Sequence, residues 1–301
     1  VVVDEQHRFG VRQRNRLLGK GLQPHLLTMT ATPIPRTLAL SLHGDLDVSQ
    51  IDELPPGRTP IRTAMITGSN REEAYELIRE EVEKGQRAYV VLPLVEESEK
   101  MDLRSAVDVH RQLADEVFPD LQVGLLHGRL ASADKQAVIK AFACGETSVL
   151  VSTTVVEVGV DVPEASVMVI DHADRFGLAQ LHQLRGRVGR GAAASHCLLI
   201  NDSRNPLARQ RLEVLVRSTD GFEIAEMDLR LRGPGQVLGT RQSGLPDLAL
   251  ASLADDGSVL EEAREEAADI LREDPELRDH VILSRLLDEQ RSRVTSAAQL
   301  N

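Results

Sequence analysis

The chain has 301 residues, a formal net charge of -12, 42% hydrophobic residues, only 2% aromatic ones and no Trp. That length accommodates two ordinary domains or two and a piece, with cores that aliphatic side chains must fill. No apolar run reaches the roughly 18 residues of a membrane span. The only cysteines, Cys144 and Cys197, lack a metal-ligand spacing, so a reduced, cytoplasmic protein with structural thiols is expected.

The acidic total argues against a nucleic-acid partner only until it is mapped along the chain. Acidic residues crowd 72–102 and 255–279, whereas 175–241 carries eleven arginines against six carboxylates. A local basic stretch of this kind suits a phosphate backbone.

At the amino end, Val1-Val2-Val3 runs straight into Asp4-Glu5-Gln6-His7. The pattern predicts a buried strand delivering two carboxylates at its carboxyl end, where open parallel sheets bind ligands. An Asp there can hold Mg²⁺, and the adjacent Glu can orient or deprotonate a water for phosphoryl transfer. A start inside an apolar run, without an initiator Met, is expected of a piece of a longer protein. Gly10 to Gly21 predicts a short basic helix, and 25–29 a strand that leads into Thr30-Ala31-Thr32-Pro33-Ile34-Pro35-Arg36-Thr37. The two prolines end that strand and open a helix at 37–43. The small hydroxylated residues suit either a hydrogen-bonded switch or a helix cap.

Residues 52–60 are turn-rich and proline-stiffened, and mark a domain boundary. An alternating series follows: strand 61–67, helix 71–84, strand 87–95, helix 104–117, strand 122–127, helix 132–143, strands 148–154 and 166–171, helix 178–188 and strand 195–200. Such alternation implies a parallel sheet with helices on both sides. The charged run 96–100 reads as a mobile loop. His127, in Leu126-His127-Gly128-Arg129, reads as a hydrogen-bonded structural residue, since no acid–base partner is evident, and Ser132 as the cap of the helix that follows. Ser152, Thr153 and Thr154 place hydroxyls at a strand end, with backbone phosphates as their natural targets. Gly159 and Asp161 can meet a nucleotide or form an ordinary turn.

The stretch from Leu178 to Gly191 places Leu178, Leu181, Leu184 and Val188 at helical spacing on one side, with Gln180, Gln183, Arg187 and Arg190 near the other. Two guanidiniums three residues apart, among glycines that cost roughly 1 kcal/mol each in a helix, form a fork suited to phosphate oxygens. Beyond it, 206–218 and 220–232 predict a helix pair stopped by Gly233-Pro234-Gly235 and followed by a polar, glycine-rich segment that includes Arg241 and Gln242. Residues 255–274 and 276–294 predict two charged helices.

In this order Asp4-Glu5-Gln6-His7, Thr30-Ala31-Thr32, Ser152-Thr153-Thr154 through Gly159-Val160-Asp161, and Gln183-Leu184-Arg185-Gly186-Arg187-Val188-Gly189-Arg190 resemble motifs II, III, V and VI of superfamily 2 helicases. Residues 220–248 resemble the translocation motif of the RecG family, bacterial helicases that remodel branched DNA. The transcription-repair coupling factors share that hairpin and are the near alternative. After about residue 275 the resemblance thins, and only helical packing is expected.

The resemblance implies an α/β fold: a RecA-like parallel sheet with helices on both faces, preceded by a partial first RecA-like lobe and followed by a helical region. The corresponding domains are 1–55, 56–205 and 206–301. It further implies ATP between two lobes, with Asp4 on Mg²⁺, Glu5 on the hydrolytic water, Gln6, His7, Gly159 and Asp161 on the nucleotide, and Arg187 and Arg190 on phosphate charge. Thr30, Thr32, Arg36, Thr153, Thr154, Gln183, Arg241 and Gln242 fall to DNA binding or coupling. Gln183 stands where many relatives carry His. The implied partners are branched double-stranded DNA, namely replication forks and Holliday junctions. No G-x-x-x-x-G-K-[ST] occurs in the 301 residues, so the rest of the pocket is expected outside them and the piece alone is expected to be inactive. A non-catalytic DNA-binding module on a RecA-like scaffold is the other reading.

Overall fold

A computed structural model of the chain describes residues 1–5, 24–31, 60–93, 99–153, 161–232 and 257–289, with isolated positions between 13 and 58. The chain divides into two compact units, Val1–Pro33 with Ile51–Ile224, and Ile34–Gln50 with Ala225–Asn301.

In the first unit, β1 (Val2–Val3) and β2 (Leu27–Thr28) pair in parallel, Val2 opposite Leu27 and Val3 opposite Thr28. The pairing extends through Leu27 N to Val1 O and Met29 N to Val3 O, both 2.8 Å. The segments ending in Asp4-Glu5 and in Thr30 are therefore neighbours. Val3 is 2% exposed but Val2 is 65% exposed, so the valine run is covered on one face rather than on both. The helices expected at 10–21 and 37–43 lie largely or wholly outside the described residues.

The main sheet has six parallel strands: β3 (Arg62–Ile66), β4 (Arg87–Val91), β5 (Val123–Leu126), β6 (Val149–Ser152), β7 (Ala165–Ile170) and β8 (His196–Ile200). Their spatial order is β3-β8-β7-β4-β6-β5. Side chains alternate between faces with period two, and in these strands both alternating sets are apolar. Tyr89, Val91, Leu150, Met168, Ile170, Cys197 and Leu199 join one core, and Ala88, Val90, Val149, Val151, Val167, Val169, Leu198 and Ile200 the other. A strand buried on both faces needs helices on both, and the sequence supplies them.

Helices α1 (Arg71–Glu83) and α2 (Glu99–Gln112) close the second core through Ala74, Ile78 and Ala106. Helix α2 begins at Glu99, so the end of the charged run expected as a loop is helical. Its last turn widens at Leu113–Val117, where Phe118 N reaches Leu113 O at 2.7 Å in an i to i+5 bond. The wider turn seats Phe118 edge-on against Tyr75, with ring centres 5.8 Å apart.

On the opposite face lie α3 (Ser132–Cys144), α4 (Leu178–Arg185) and α5 (Pro206–Arg217). Ser132 is the first helical residue rather than the cap. Ala131 holds the cap position, and no side-chain bond closes that end. Helix α5 starts as its sequence demands, with Asn205 Oδ1 accepting from Leu207 N at 3.0 Å and Pro206 in the first turn. Helix α6 (Gly221–Arg232) follows, with Asp220 Oδ1 accepting from Phe222 N at 2.8 Å. Within the second unit the described residues include α7 (Gly257–Glu273) and a further helix at 281–289. Among the described residues no helix is long and apolar enough to cross a membrane.

With so few aromatics, each one in the core fills volume that aliphatic neighbours cannot. Phe142 is 1% exposed and meets the Tyr89 ring at 4.7 Å. Replacing Phe142 with Ala should lower the unfolding free energy by about 3–5 kcal/mol in urea denaturation. A loss below about 1 kcal/mol would mean that this core repacks freely.

Candidate active site

Most of the described candidate residues sit where a regular element stops; Gln183 lies within a helix. At the end of β1 the Asp4 carboxylate accepts the Glu5 backbone N–H at 2.8 Å, and Glu5 adopts a left-handed φ of 51°. Side chains larger than Gly rarely adopt that conformation, and it recurs at functional sites. Both carboxylates thus project from a turn rather than continuing the strand. Gln6 and His7 lie outside the described residues, as do Thr32, Arg36, Thr154, Gly159, Arg241 and Gln242. Thr30 is exposed just beyond β2.

The arginine stretch is built differently from a continuous helix. Helix α4 ends at Arg185, three residues earlier than its apolar spacing suggests, and Gly186 takes the cap. The chain then tightens through Arg187 N to Leu184 O at 3.0 Å and Val188 N to Arg185 O at 3.3 Å. Gly189 turns it at φ 77°, a conformation open to glycine. Leu178, Leu181, Leu184 and Val188 are fully buried, as the periodicity predicts. Arg187 and Arg190 therefore lie on a loop instead of sharing a helix face.

That loop is held against the segment ahead of β7. Arg190 Nη1 donates to Asp161 Oδ1 at 3.2 Å and its Nε donates to Gly186 O at 3.2 Å. Gly191 approaches Pro163 so closely that an added Cβ would stand 2.3 Å from the Pro163 carbonyl oxygen. Two of the predicted site residues, Asp161 and Arg190, are thus brought into direct contact. Below them is Tyr89, whose phenol burial pushes up to about 12, with the Arg187 and Arg190 charges pulling the other way. Gln183 is half-buried on α4. Thr153 is elsewhere, at the end of β6 beside β5, where its N–H reaches Leu126 O at 3.2 Å.

Arg185 is the residue that sequence reading leaves among its neighbours without a role. It is 3% exposed. Its Nη1 donates to Leu215 O and Ser218 O, both at 2.8 Å, and its Nη2 pairs with His182 Nδ1 at 2.9 Å. The two carbonyls belong to the last turn of α5 and the residue after it, where helix carbonyls lack intrahelical partners and the dipole is negative. Burial draws the Arg185 pKa below its ordinary value; a guanidinium stays charged in proteins nonetheless. His182 must accept from it and therefore be neutral at Nδ1, and burial, followed by the Arg185 charge, pulls His182 down to about 4. Neighbouring Cys197 is pushed up to about 12 by burial, which makes it an inert thiol. Arg211 adds a second tie from α5, donating to Phe176 O at 2.7 Å. Its helical spacing from Leu178 and Leu181 puts Arg185 on the apolar side, which was a usable signal for its burial.

The family model for the helicase conserved C-terminal domain matches residues 70–192. That for the ATP-dependent DNA helicase RecG, domain 3, C-terminal, matches 218–299. The chain is 63% identical over 280 residues to the ATP-dependent DNA helicase RecG of Synechocystis sp., covering 93% of this chain and 34% of that protein. It is 50% identical to the protein of the same name from Thermotoga maritima, covering 94% and 36%. The chain belongs to the RecG family. Its match through residue 299 selects RecG over the coupling-factor alternative and extends the likeness beyond residue 275. The structure of a RecG bound to a three-way DNA junction superimposes with a TM-score of 0.67 at 47% identity, over 87% of this chain and 33% of that one. The chain spans about a third of the length of these RecG relatives, and its six-stranded sheet with flanking helices is the RecA-like C-terminal helicase fold.

Two outcomes follow from the buried guanidinium. Arg185→Ala strands two carbonyls and an imidazole, and should cost about 2–3 kcal/mol of stability in thermal or urea unfolding. The pH dependence has a definite sign. Folded His182 titrates near 4 and an unfolded His near 6.5, so the unfolded chain binds more protons between those values and stability falls as pH drops through that window. His182→Asn keeps an acceptor and removes the titration, and should flatten the fall in Tm between about pH 6.5 and 4. An unchanged slope would show that His182 is not held neutral.

Proposed function

We propose that the chain forms part of an ATP-dependent double-stranded DNA translocase that remodels stalled replication forks and Holliday junctions in DNA repair and recombination. The observation that carries this reading is the Arg187–Arg190 loop, clamped to Asp161 at one end and tied through Arg185 to the α5 terminus. Relatives named as ATP-dependent DNA helicases, one of them bound to a three-way junction, support the same reading. Residues 1–55 are the end of a first RecA-like lobe, 56–205 the second lobe and 206–301 the helical region with the translocation motif.

The chemistry of the donors fits ATP with magnesium. Mg²⁺ takes one or two carboxylates and completes its shell with phosphate oxygens and waters, and Asp4 is exposed at a strand end with Glu5 beside it. Bound there, the nucleotide supplies the free energy of hydrolysis. Glu5 orients the attacking water; Asp161 and Gly159 meet the nucleotide, with Gln6 and His7 beside it. Arg187 and Arg190 offset phosphate charge, which can contribute on the order of 10³–10⁵ in rate.

Asp161 and the nucleotide then compete for Arg190, so occupancy of the cleft repositions the loop. Its movement passes through Arg185 to the start of the α5–α6 hairpin, where Ser218 Oγ donates to Glu223 Oε2 at 2.5 Å. Arg241 and Gln242 transmit it to duplex DNA, while Thr30, Thr32, Arg36, Thr153, Thr154 and Gln183 contact DNA or couple the two sites. Residues 1–301 alone, without a phosphate loop, turn over little ATP and bind DNA weakly and in a salt-sensitive way.

In the full-length protein, Glu5→Gln should reduce DNA-stimulated ATP hydrolysis by about 10²–10⁴-fold and abolish fork regression. Near-wild-type hydrolysis by that variant removes the assignment of Glu5. Fork binding with no hydrolysis in the wild-type protein favours the non-catalytic module instead.

A further inference from the structure

Strand β4 opens on an arginine whose side chain is only 12% exposed. The Arg87 backbone N–H donates to Glu164 O at 2.8 Å, and its Nη1 donates to Glu164 Oε2 at 3.1 Å and to Ala143 O at 2.8 Å. Ala143 lies in the last turn of α3, where carbonyls lack intrahelical partners and the helix dipole is negative. Gly145, at φ 87°, leaves room for the guanidinium, since a Cβ there would stand 3.0 Å from Arg87 Nη2. One side chain thus fastens the segment entering β7 to the end of α3, and the backbone of the same residue holds that segment a second time.

The strand register breaks at this point. Arg87 pairs with Ala165 but Ala88 with Val167, which leaves Ser166 as an extra residue on β7. Bulges of this kind interrupt regular pairing and re-aim side chains beside active sites. Ahead of the bulge lies the wall against which the arginine loop rests. Val162 is buried in one core with Tyr89 and Val188, and its carbonyl accepts from Ala165 N at 3.0 Å. Pro163 is therefore flanked by two held residues, Val162 and Glu164, and its carbonyl is the one that Gly191 abuts. Asp161, which accepts from Arg190, begins the same stretch. A shift of Glu164 passes to Pro163, and Gly191 has no room to absorb it.

We propose that Arg87 is a positioning residue for ATP hydrolysis, setting through Glu164 the place of the 161–163 segment and with it that of the Arg187 to Arg190 loop. The inference rests on the ATP-hydrolysing reading above and adds to it a strand residue that acts only through Glu164. A misplaced loop fails chiefly where phosphate charge develops, so its signature is a loss in kcat rather than in ground-state binding.

Steady-state ATP hydrolysis by the full-length protein with saturating fork DNA tests it, with rates expressed per fork-binding molecule. Arg87→Ala should lower kcat about 10–10²-fold, and leave KM for ATP and fork affinity within about twofold. Glu164→Ala, a change at a half-exposed side chain, should reproduce the loss, and the double variant should be no slower than either single one. Wild-type kcat in either alanine variant overturns the proposal, and so do losses that multiply in the double variant or that reflect only fewer fork-binding molecules. If Arg87→Ala does not fold, Glu164→Ala decides alone. Arg190→Ala separates the two readings: wild-type hydrolysis by that variant removes the arginine loop from the reaction, whereas a slow Arg190→Ala beside an unaffected Arg87→Ala removes the role of Arg87 alone.

Discussion

A positive charge inside a core is costly unless hydrogen bonds compensate it, and Arg185 makes three, none of them to a carboxylate. Its partners are two carbonyls at the negative end of α5 and one imidazole. The consequence is directional. Had a carboxylate neutralised the guanidinium, α4 and α5 would be joined by a pair that could sit anywhere along either helix. Because helix-end carbonyls neutralise it, α5 must terminate where Arg185 can reach, and the Ser218–Glu223 turn must begin there.

The loop after α4 inherits its position from this arrangement. Gly186 ends the helix, Gly189 reverses the backbone and Gly191 lets it lie against the Pro163 carbonyl. These glycines share a stretch but answer three separate steric requirements. Arg187 and Arg190 emerge between them with their charges toward Asp161 and Tyr89 rather than along a helix face. A rigid anchor on one side and an exchangeable ion pair on the other is the architecture that a phosphate-responsive element needs.

The sheet was legible in the sequence because apolar runs such as Val149-Leu150-Val151 and Val167-Met168-Val169 admit no solvent face. A strand with no polar side must be central and covered twice, and the alternating helices supply that cover. Element ends were less legible. Of the strand expected at 87–95, the described residues pair through Val91, with Leu92 N still reaching Ser152 O at 2.8 Å, and α4 stops at Arg185, because hydrogen-bond partners rather than composition decide where a ladder or helix closes. The start of α2 inside a charged run shows the same limit: solvated Glu and Lys are good helix formers as well as loop residues. The motifs were read correctly as motifs, yet motif order says nothing about which of their side chains touch.

By itself, then, the sequence determined the parallel α/β layering and the inward stripe of Leu178, Leu181, Leu184 and Val188. These follow from periodicity, which is local. Tertiary structure alone decided which carbonyls and imidazole receive Arg185, that Asp161 meets Arg190, and that His127 and Thr153 share an unpaired edge. Those outcomes depend on which distant carbonyl or strand end arrives beside each side chain, and no spacing along the chain encodes that distance.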